Sequence, residues 1–138
     1  MTRLDEIARA CLREAGEALR GRGLTVAEQV PGEFPEHPAD RAMVARGVEA
    51  MLHEAIQRAA PGSQLRVTVK AGPHAFMISI KAPGEGVDPA ASEQAVPRAA
   101  TEAAAAHGGR AWANGLPGRG ITFYLTLPAA SSGSAPAL

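Results

Sequence analysis

Two adjacent side chains near the middle of the chain, His53 and Glu54, are of types that bind metals or transfer protons. They lie in MLHEAIQRAAPGSQ, residues 51–64, where apolar residues recur at helical spacing before a Pro-Gly stop. A metalloprotease helix needs a second histidine four residues after the first, and position 57 is glutamine. The pair is therefore either part of another kind of site or an ordinary helix histidine exposed to water.

Further candidate groups lie elsewhere in the sequence. The glycine pair in Gly-Glu-Gly, residues 84–86, belongs either to a ligand-binding loop or to a bare turn. Lys81 just before it either pairs with Glu85 or Asp88 or is a solvated lysine at a strand end. His107 precedes two glycines, which is typical of a helix C-terminus. Cys11 falls among apolar residues at helical spacing, which predicts a packed rather than a reactive thiol.

Composition restricts the classes of function. The 138 residues suffice for one domain, and the 14 basic and 14 acidic residues give a net charge of zero, so no electrostatic argument favours nucleic acid or an anionic membrane. One cysteine excludes an internal disulfide and fits a reducing compartment. No apolar run approaches the roughly 20 residues of a membrane span, and the N-terminus lacks the apolar core of a signal peptide. We expect a cytoplasmic protein.

In the first part of the chain, stretches that favour a helix or a strand are separated by Gly- and Pro-rich stretches that end them. Residues 3–20 carry an apolar face at helical spacing, and Gly-Arg-Gly at 21–23 ends the predicted helix. Residues 24–30 predict a strand, and the Pro-rich stretch 31–39 predicts a loop. The helix face comprises Leu4, Ile7, Ala8, Cys11, Leu12, Ala15 and Leu19.

The second part switches between helical and strand periodicity. Asp40 is a predicted N-cap for a helix that ends at the Ala-Pro-Gly-Ser of 60–63. Residues 65–70 and 75–81 then alternate apolar and polar, which predicts an antiparallel hairpin. The alanine-rich stretch 97–106 predicts a helix.

Two more strands, 110–114 and 121–128, complete the predicted domain, and the small polar tail 129–138 predicts disorder. The order is helix, strand, helix, strand, strand, helix, strand, strand. Such an order favours an α+β two-layer sandwich with a mixed, mainly antiparallel sheet and about three helices on one face.

Several of these segments together resemble the ATP-binding domain of bacterial sensor histidine kinases, in the GHKL or Bergerat-fold superfamily. Residues 40–63, DRAMVARGVEAMLHEAIQRAAPGS, match the family pattern D..RL..VL.NLL.NA…PGS without a gap. His-Gly-Gly at 107–109, Pro-Gly-Arg-Gly at 117–120 and the closing Leu-Pro at 127–128 recur in the family's order. The resemblance covers residues 24–128, and residues 1–23 form an N-terminal helix before that domain.

The resemblance also assigns roles that this chain fills with different residues. The family's magnesium-binding asparagine corresponds to Glu54, which is still able to ligate a metal, and a second asparagine corresponds to Ala50. The aspartate that accepts a hydrogen bond from the adenine amino group corresponds to Ala82, which has no acceptor. Gly84 and Gly86 keep the glycine pair of that loop.

The phosphate-binding glycines of the family correspond to Gln94 and Val96, and Pro97 beside them has no N–H to donate. Only ten residues separate Gly86 from Pro97, which leaves little length for a mobile lid. The replacements at the positions for the base, the metal and the phosphates each weaken ATP binding, and together they reduce its binding free energy by several kcal/mol. They predict a degenerate pocket without catalytic residues, bound metal or bound ATP. In this interpretation His53 and Glu54 lie where the family has its asparagine motif and do not form a new active site.

The resemblance therefore predicts a pseudokinase that is a protein-interaction or regulatory module of bacterial two-component signalling. Its partner would be a response regulator, a phosphotransfer protein, a kinase component or a second copy, with no nucleic acid and no membrane. The predicted partner surface is the apolar face of the first helix, unless that face packs within the monomer. Its residues are Leu4, Ile7, Cys11, Leu12 and Leu19.

Two alternatives stay open. A diverged nucleotide or small-ligand binder would use a remodelled pocket at Glu54, Gly84 and Gly86, within reach of Lys81. Trp112 and Tyr124 are either exposed partner anchors or half-buried packing residues.

Overall fold

The computed structural model describes residues 2–30, 36–37, 39–72, 74–84, 92 and 94–128. The helices in this part of the chain are α1 Leu4–Glu14, α2 Gly16–Gly21, α3 Arg41–Arg58 and α4 Arg98–Ala106. The strands are β1 Thr2–Arg3, β2 Thr25–Gln29, β3 Glu36–His37, β4 Gln64–Ala71, β5 Ala75–Ala82, β6 Arg110–Leu116 and β7 Gly120–Pro128. The predicted order of elements is confirmed. Two features were not predicted: the short β1–β3 pair and a break at Ala15 between α1 and α2.

Five strands form one mixed sheet in the order β2-β4-β5-β7-β6. The β2–β4 pair is parallel and the other three pairs are antiparallel, as the mainly antiparallel prediction requires. The predicted hairpin is β4–β5, with Val67 opposite Ile80. Ile80 in turn lies opposite Phe123 of β7, so long aliphatic and aromatic side chains run across the middle of the sheet.

Helices α1, α3 and α4 pack on one face of this sheet. Because strand side chains alternate between faces, one set on each of β4, β5 and β7 is buried, as in Leu65, Val67 and Val69 of β4. The apolar stripe of α3, where Val44 and Met51 are fully buried, packs against β5 and β7, and α1 packs against β4. The result is the predicted two-layer α+β sandwich with a single core.

The structure corrects the prediction of a partner surface on the first helix. Its five residues, Leu4, Ile7, Cys11, Leu12 and Leu19, are at most 9% exposed and belong to the same core as α3. Four of them lie on α1, which packs against α3 and β4, and the fifth, Leu19, is the buried residue of α2. Burial also raises the pKa of the Cys11 thiol to about 11, with smaller contributions from the charges of Glu49 and Glu14. This agrees with the packed thiol that the spacing predicted.

Side chains at two helix ends connect α3 to α4. The Asp40 carboxylate accepts a hydrogen bond from the Met43 N–H at 3.1 Å, which confirms the predicted N-cap. The Asp40 N–H donates to His107 Nε2 at 2.9 Å, and His107 Nδ1 lies 2.7 Å from the Ala103 carbonyl oxygen. His107 therefore lies at the end of α4 as predicted, but it also fixes the start of α3. Gly108 follows with φ of +73°, the left-handed conformation of a helix C-terminus.

Asp5 is the buried acidic side chain of the helical layer. Its carboxylate is fully buried and accepts hydrogen bonds from Arg3 Nη2 and Arg9 Nη1, both at 2.7 Å. Burial alone would raise the pKa of Asp5, but the hydrogen bonds and charges of the two arginines outweigh it, so the pKa is lowered. The ionised carboxylate therefore stabilises the start of α1.

Replacing Asp5 by asparagine is expected to lower the free energy of unfolding at pH 7 by roughly 2 kcal/mol, since two guanidinium groups lose their charged partner. The lowered pKa means that the unfolded chain binds more protons than the native chain at acid pH. The wild-type protein should therefore have the higher free energy of unfolding above about pH 4, and the difference from Asp5→Asn should disappear as the pH falls further. Urea denaturation of both proteins between pH 7 and pH 3 measures this.

The matched control is Glu6→Gln, because Glu6 is the next residue but its side chain is 48% exposed. Its ion pairs with Arg3 and Arg41 lie at the surface, so the change should cost at most about 1 kcal/mol. An Asp5→Asn cost that stays constant down to pH 3 would contradict the assigned charge interaction.

Candidate functional site

The positions that the resemblance assigns to metal binding lie on α3. Glu54 is half-buried, and its Oε1 accepts a hydrogen bond from Arg58 Nε at 3.0 Å, one helical turn later. Ala50 lies one turn before Glu54 and is also half-buried. The carboxylate is thus already paired with a cation of its own helix.

The position that the resemblance assigns to adenine recognition is the last residue of β5. Ala82 is 1% exposed and belongs to the core, on the same side of its strand as Ile78 and Ile80. Its register partner on β7 is Ile121, which is also buried. Position 82 therefore places a methyl group among apolar side chains and offers no side-chain acceptor.

The end of β5 and the first two residues after it, Pro83 and Gly84, are in contact with backbone on both sides. The Ala60 N–H, just beyond α3, donates to the Pro83 carbonyl oxygen at 2.9 Å. A Cβ at Gly84 would lie 2.9 Å from the Arg58 carbonyl oxygen, so glycine is needed for this close approach. On the other side, a Cβ at Gly120 would overlap the Ala82 carbonyl oxygen. The described start of the predicted glycine loop, Pro83 and Gly84, thus packs directly against the end of α3.

The segment that corresponds to the phosphate-binding glycines leads into α4. Gln94 is exposed, Val96 is half-buried against the core, and Pro97 is the N-cap of α4, with no side-chain cap for the helix. The Pro97 carbonyl oxygen accepts the Ala100 N–H at 3.1 Å, while its own nitrogen has no hydrogen to donate. Gln94 and Val96 stand where glycines would let backbone N–H groups approach an anion.

Helices α3 and α4 lie in close contact at Gly47. A Cβ added there would lie 3.2 Å from the Ala100 Cα, the Ala99 carbonyl oxygen and the Ala103 Cβ. Small residues on both helices allow this approach. The positions that the resemblance assigns to magnesium thus lie on α3, and those that it assigns to phosphate lead into α4, the helix whose backbone packs tightly against α3.

A cavity of about 390 Å³ lies at the C-terminal end of α3. Ile121, the partner of Ala82, lines it, but none of the described positions that the sequence predicted as the site does so. Arg22 Nη2 donates to the Ala59 carbonyl oxygen at 2.7 Å, whereas the buried Arg22 Nε has no partner among the described residues. The lining residues are Arg22, Gln57, Arg58, Ala59, Ala60, Pro61 and Ile121.

Sequence reasoning missed Arg22. It appears in the sequence only as the middle residue of a Gly-Arg-Gly breaker, and its contact with Ala59 spans 37 positions. No local pattern signals such a contact. Of the two interpretations of Lys81, the structure agrees with the solvated strand end, because Lys81 is exposed on the sheet face away from the helices and does not point to the pocket that the alternative function would use.

Other predicted residues have simple surroundings or fall outside the described residues. His53 is exposed on α3, with its Nε2 3.0 Å from Gln57 Nε2. Within the described ranges, no cluster of three histidine, cysteine or acidic side chains is suited to a metal. Gly86 and the tail 129–138 lie outside the described residues. Helices in the described part of the chain are too short or too polar to cross a membrane.

Comparison with known proteins gives matches only at the level of structure. No protein-family model and no curated protein matches the chain. The catalytic domain of the histidine kinase ThkA, in a nucleotide-free form, superposes with a TM-score of 0.82 at 16% identity and covers 92% of this chain and 94% of its own. The mycobacterial sensor histidine kinase MprB gives a TM-score of 0.77 at 17% identity, covering 93% and 95%.

A third structure contains a nucleotide analogue. Full-length ShkA in complex with AMPPNP superposes with a TM-score of 0.81 at 19% identity and covers 92% of this chain, which corresponds to 30% of ShkA. At such low identity these similarities are evidence of a shared fold. The sheet order, the helical layer and these superpositions agree that the chain has the Bergerat-type fold of histidine kinase catalytic domains.

Proposed function

We propose that this chain is a histidine kinase-like ATPase domain that no longer binds ATP and serves as a non-catalytic interaction module in bacterial two-component signalling. The observation that carries the proposal is Ala82, a methyl group that is 1% exposed in the core. A hydrogen bond to a charged acceptor contributes about 1.5–3 kcal/mol. Its loss weakens adenine binding by roughly tenfold to a hundredfold.

The residues at the other two sub-sites fit ATP and magnesium no better. Glu54 Oε1 accepts a hydrogen bond from Arg58 Nε, so that guanidinium competes with a metal ion for the carboxylate. Gln94 and Val96 replace the glycines that would let backbone N–H groups approach a phosphate, and Pro97 has no N–H to donate. Since the three losses act on different parts of the nucleotide, their costs add.

A partner in signalling fits the structural neighbours. ThkA also superposes in its complex with the response regulator TrrA, with a TM-score of 0.77 at 16% identity, covering 94% of this chain and 41% of that one. We infer that this chain contacts a response regulator, a phosphotransfer protein, a kinase component or a second copy in the cytoplasm. Docking needs the fold and surface of the domain, but not a bound nucleotide.

Millimolar ATP, with or without magnesium, is expected to leave the melting temperature of this protein unchanged. A ligand present at 100 times its dissociation constant stabilises by about 2.7 kcal/mol, which for a chain of this size is a shift of several degrees. Thermal denaturation with ATP, ADP and AMPPNP measures it, with ShkA as positive control because its complex with AMPPNP is known. A magnesium-dependent rise in melting temperature would contradict the proposal.

The cavity at the end of α3 favours a second candidate, a binder of a small anion. Its volume of about 390 Å³ is within the range of ligand pockets, and Arg22 and Arg58 both line it. The same thermal assay with inorganic phosphate and citrate tests this candidate. If the cavity binds a small anion, phosphate or citrate should raise the melting temperature of the wild-type protein, and the variant Arg22→Gln should abolish that rise.

A further inference from the structure

The sheet face away from the helices, here called the open face, has an unusual distribution of charge. Its exposed side chains include four cations: Arg66 and Lys70 of β4, Lys81 of β5 and Arg110 of β6. None of them forms an ion pair with a carboxylate among the described residues. No Asp or Glu on the described strands of the five-stranded sheet points to this face, since Glu28 lies opposite the buried Val67. A chain with zero net charge therefore presents one strongly basic surface.

The fold gains nothing from this arrangement. Arg66 and Lys81 are directly opposite each other in the antiparallel β4–β5 ladder. Like charges in that position destabilise a sheet. Charges that cost stability and have no carboxylate partner among the described residues are better explained by a partner outside the chain.

An aromatic pair lies between the cations. Trp112 of β6 and Tyr124 of β7 are register partners, and their rings stack with centroids 4.9 Å apart and an interplanar angle of 12°. The Arg110 guanidinium lies 5.0 Å from the centroid of the Trp112 ring. These are the chain's only tryptophan and tyrosine, and both are half-buried on a face that the described helices do not cover.

The sheet register orders these groups into three rows across the strands. Trp112 and Tyr124 share the middle row with Ser79 and Thr68. Arg66 and Lys81 occupy the row on one side, and Lys70 and Arg110 the row on the other. Adjacent rows are two residues apart along each strand, about 7 Å. Aromatic anchors within a charged rim are typical of protein interfaces, in which Trp, Tyr and Arg are the commonest hot spots.

We propose that the open face is the docking surface of this module and that it binds an acidic surface of a partner protein around the Trp112–Tyr124 pair. The inference rests on the proposed interaction function and names the surface and the chemistry of the partner. Single-stranded nucleic acid fits less well. Base stacking needs an open ring face, whereas the indole already contacts a ring and a guanidinium, and a chain of zero net charge has no overall attraction for a polyphosphate.

Trp112 provides a reporter at the centre of the proposed surface, because no other tryptophan contributes to the fluorescence. The full chain is titrated with the synthetic acidic peptide EEDFLDEE, with its basic counterpart KKRFLRKK and with oligothymidylate. We expect a saturable change in tryptophan emission with the acidic peptide, weakening as salt is added, and no change with the basic one.

Two charge-reversal variants locate the binding. Lys81→Glu combined with Arg110→Glu should weaken binding of the acidic peptide at least about tenfold, since each of the two cationic rows beside the aromatic pair loses a cation. Arg20→Glu combined with Arg46→Glu changes the net charge equally on exposed helical positions and should have less than about a threefold effect. Circular dichroism checks that all variants are folded. Equal weakening by both variants, tighter binding of oligothymidylate, or no saturable change with the acidic peptide would each overturn the inference.

The peptide titration tests the assignment of the open face, whereas the nucleotide titration tests the proposed function. A magnesium-dependent ATP shift defeats the proposed function whatever the peptide does. No ATP shift together with no peptide binding defeats only the assignment of the open face.

Discussion

Replacing Gly120 by alanine is expected to lower the free energy of unfolding by at least about 3 kcal/mol. The added Cβ would overlap the Ala82 carbonyl oxygen and lie 2.8 Å from the Pro83 Cα. Both are backbone atoms, and Pro83 is held by its hydrogen bond from Ala60, so no side-chain rotation relieves the clash. Gly120 also has φ of +98°, which alanine adopts only at a cost.

Gly118, in the same turn, is the matched control. It has a similar φ of +78°, but a Cβ there would meet no atom within 4 Å. Gly118→Ala therefore carries the conformational cost alone, about 1–2 kcal/mol. Urea denaturation of the two variants isolates the steric contribution. Equal costs would contradict the close contact between the β7 start and the loop after β5.

Replacing Ala82 by aspartate, the residue that the resemblance expects, is predicted to destabilise this chain by about 3–5 kcal/mol at pH 7. Position 82 is 1% exposed within the core, so the carboxylate would lose its hydration without gaining a charged partner. Burial would raise the pKa of the introduced carboxyl above that in the unfolded chain. The destabilisation should therefore be complete above the raised pKa and decrease as the pH falls towards about 4.

Ala71→Asp is the control for this variant, because Ala71 also ends a strand, β4, but is exposed. Its effect should stay within about 0.5 kcal/mol and be independent of pH. A cost at position 82 no larger than that at position 71 would mean that this position is accessible to water, and the argument from a buried methyl group would be wrong.

The same substitution tests what the nucleotide site has lost. Ala82→Asp combined with Glu54→Asn restores the family's base and metal residues, yet we expect no magnesium-dependent ATP shift in melting temperature. Gln94 and Val96 would still keep the phosphates from approaching the backbone N–H groups, and Pro97 would still offer no N–H. A clear shift in the double variant would show that the loss is confined to positions 54 and 82.

Features built from neighbouring residues could be predicted from the sequence. The Asp40 cap, the length of α3 and the β4–β5 hairpin follow from periods, caps and turns that span a few positions. The HGG and PGRG motifs, in order with residues 40–63, led to the fold. The residue types at positions 54, 82 and 94–97 also follow from counting within those motifs.

What only the tertiary structure decided depends on contacts between distant positions. An apolar stripe such as Leu4, Ile7 and Leu12 is compatible both with burial in the core and with a partner interface. Here it is buried in the core, because α1 packs beside α3 on the sheet. Alternation along each strand shows which side chains share a face, but not which strands are neighbours. The order β2-β4-β5-β7-β6 sets Trp112 against Tyr124, while the β4–β5 register sets Arg66 opposite Lys81. Apart from the β4–β5 hairpin, strand pairing is determined by packing of distant segments, which no local pattern encodes.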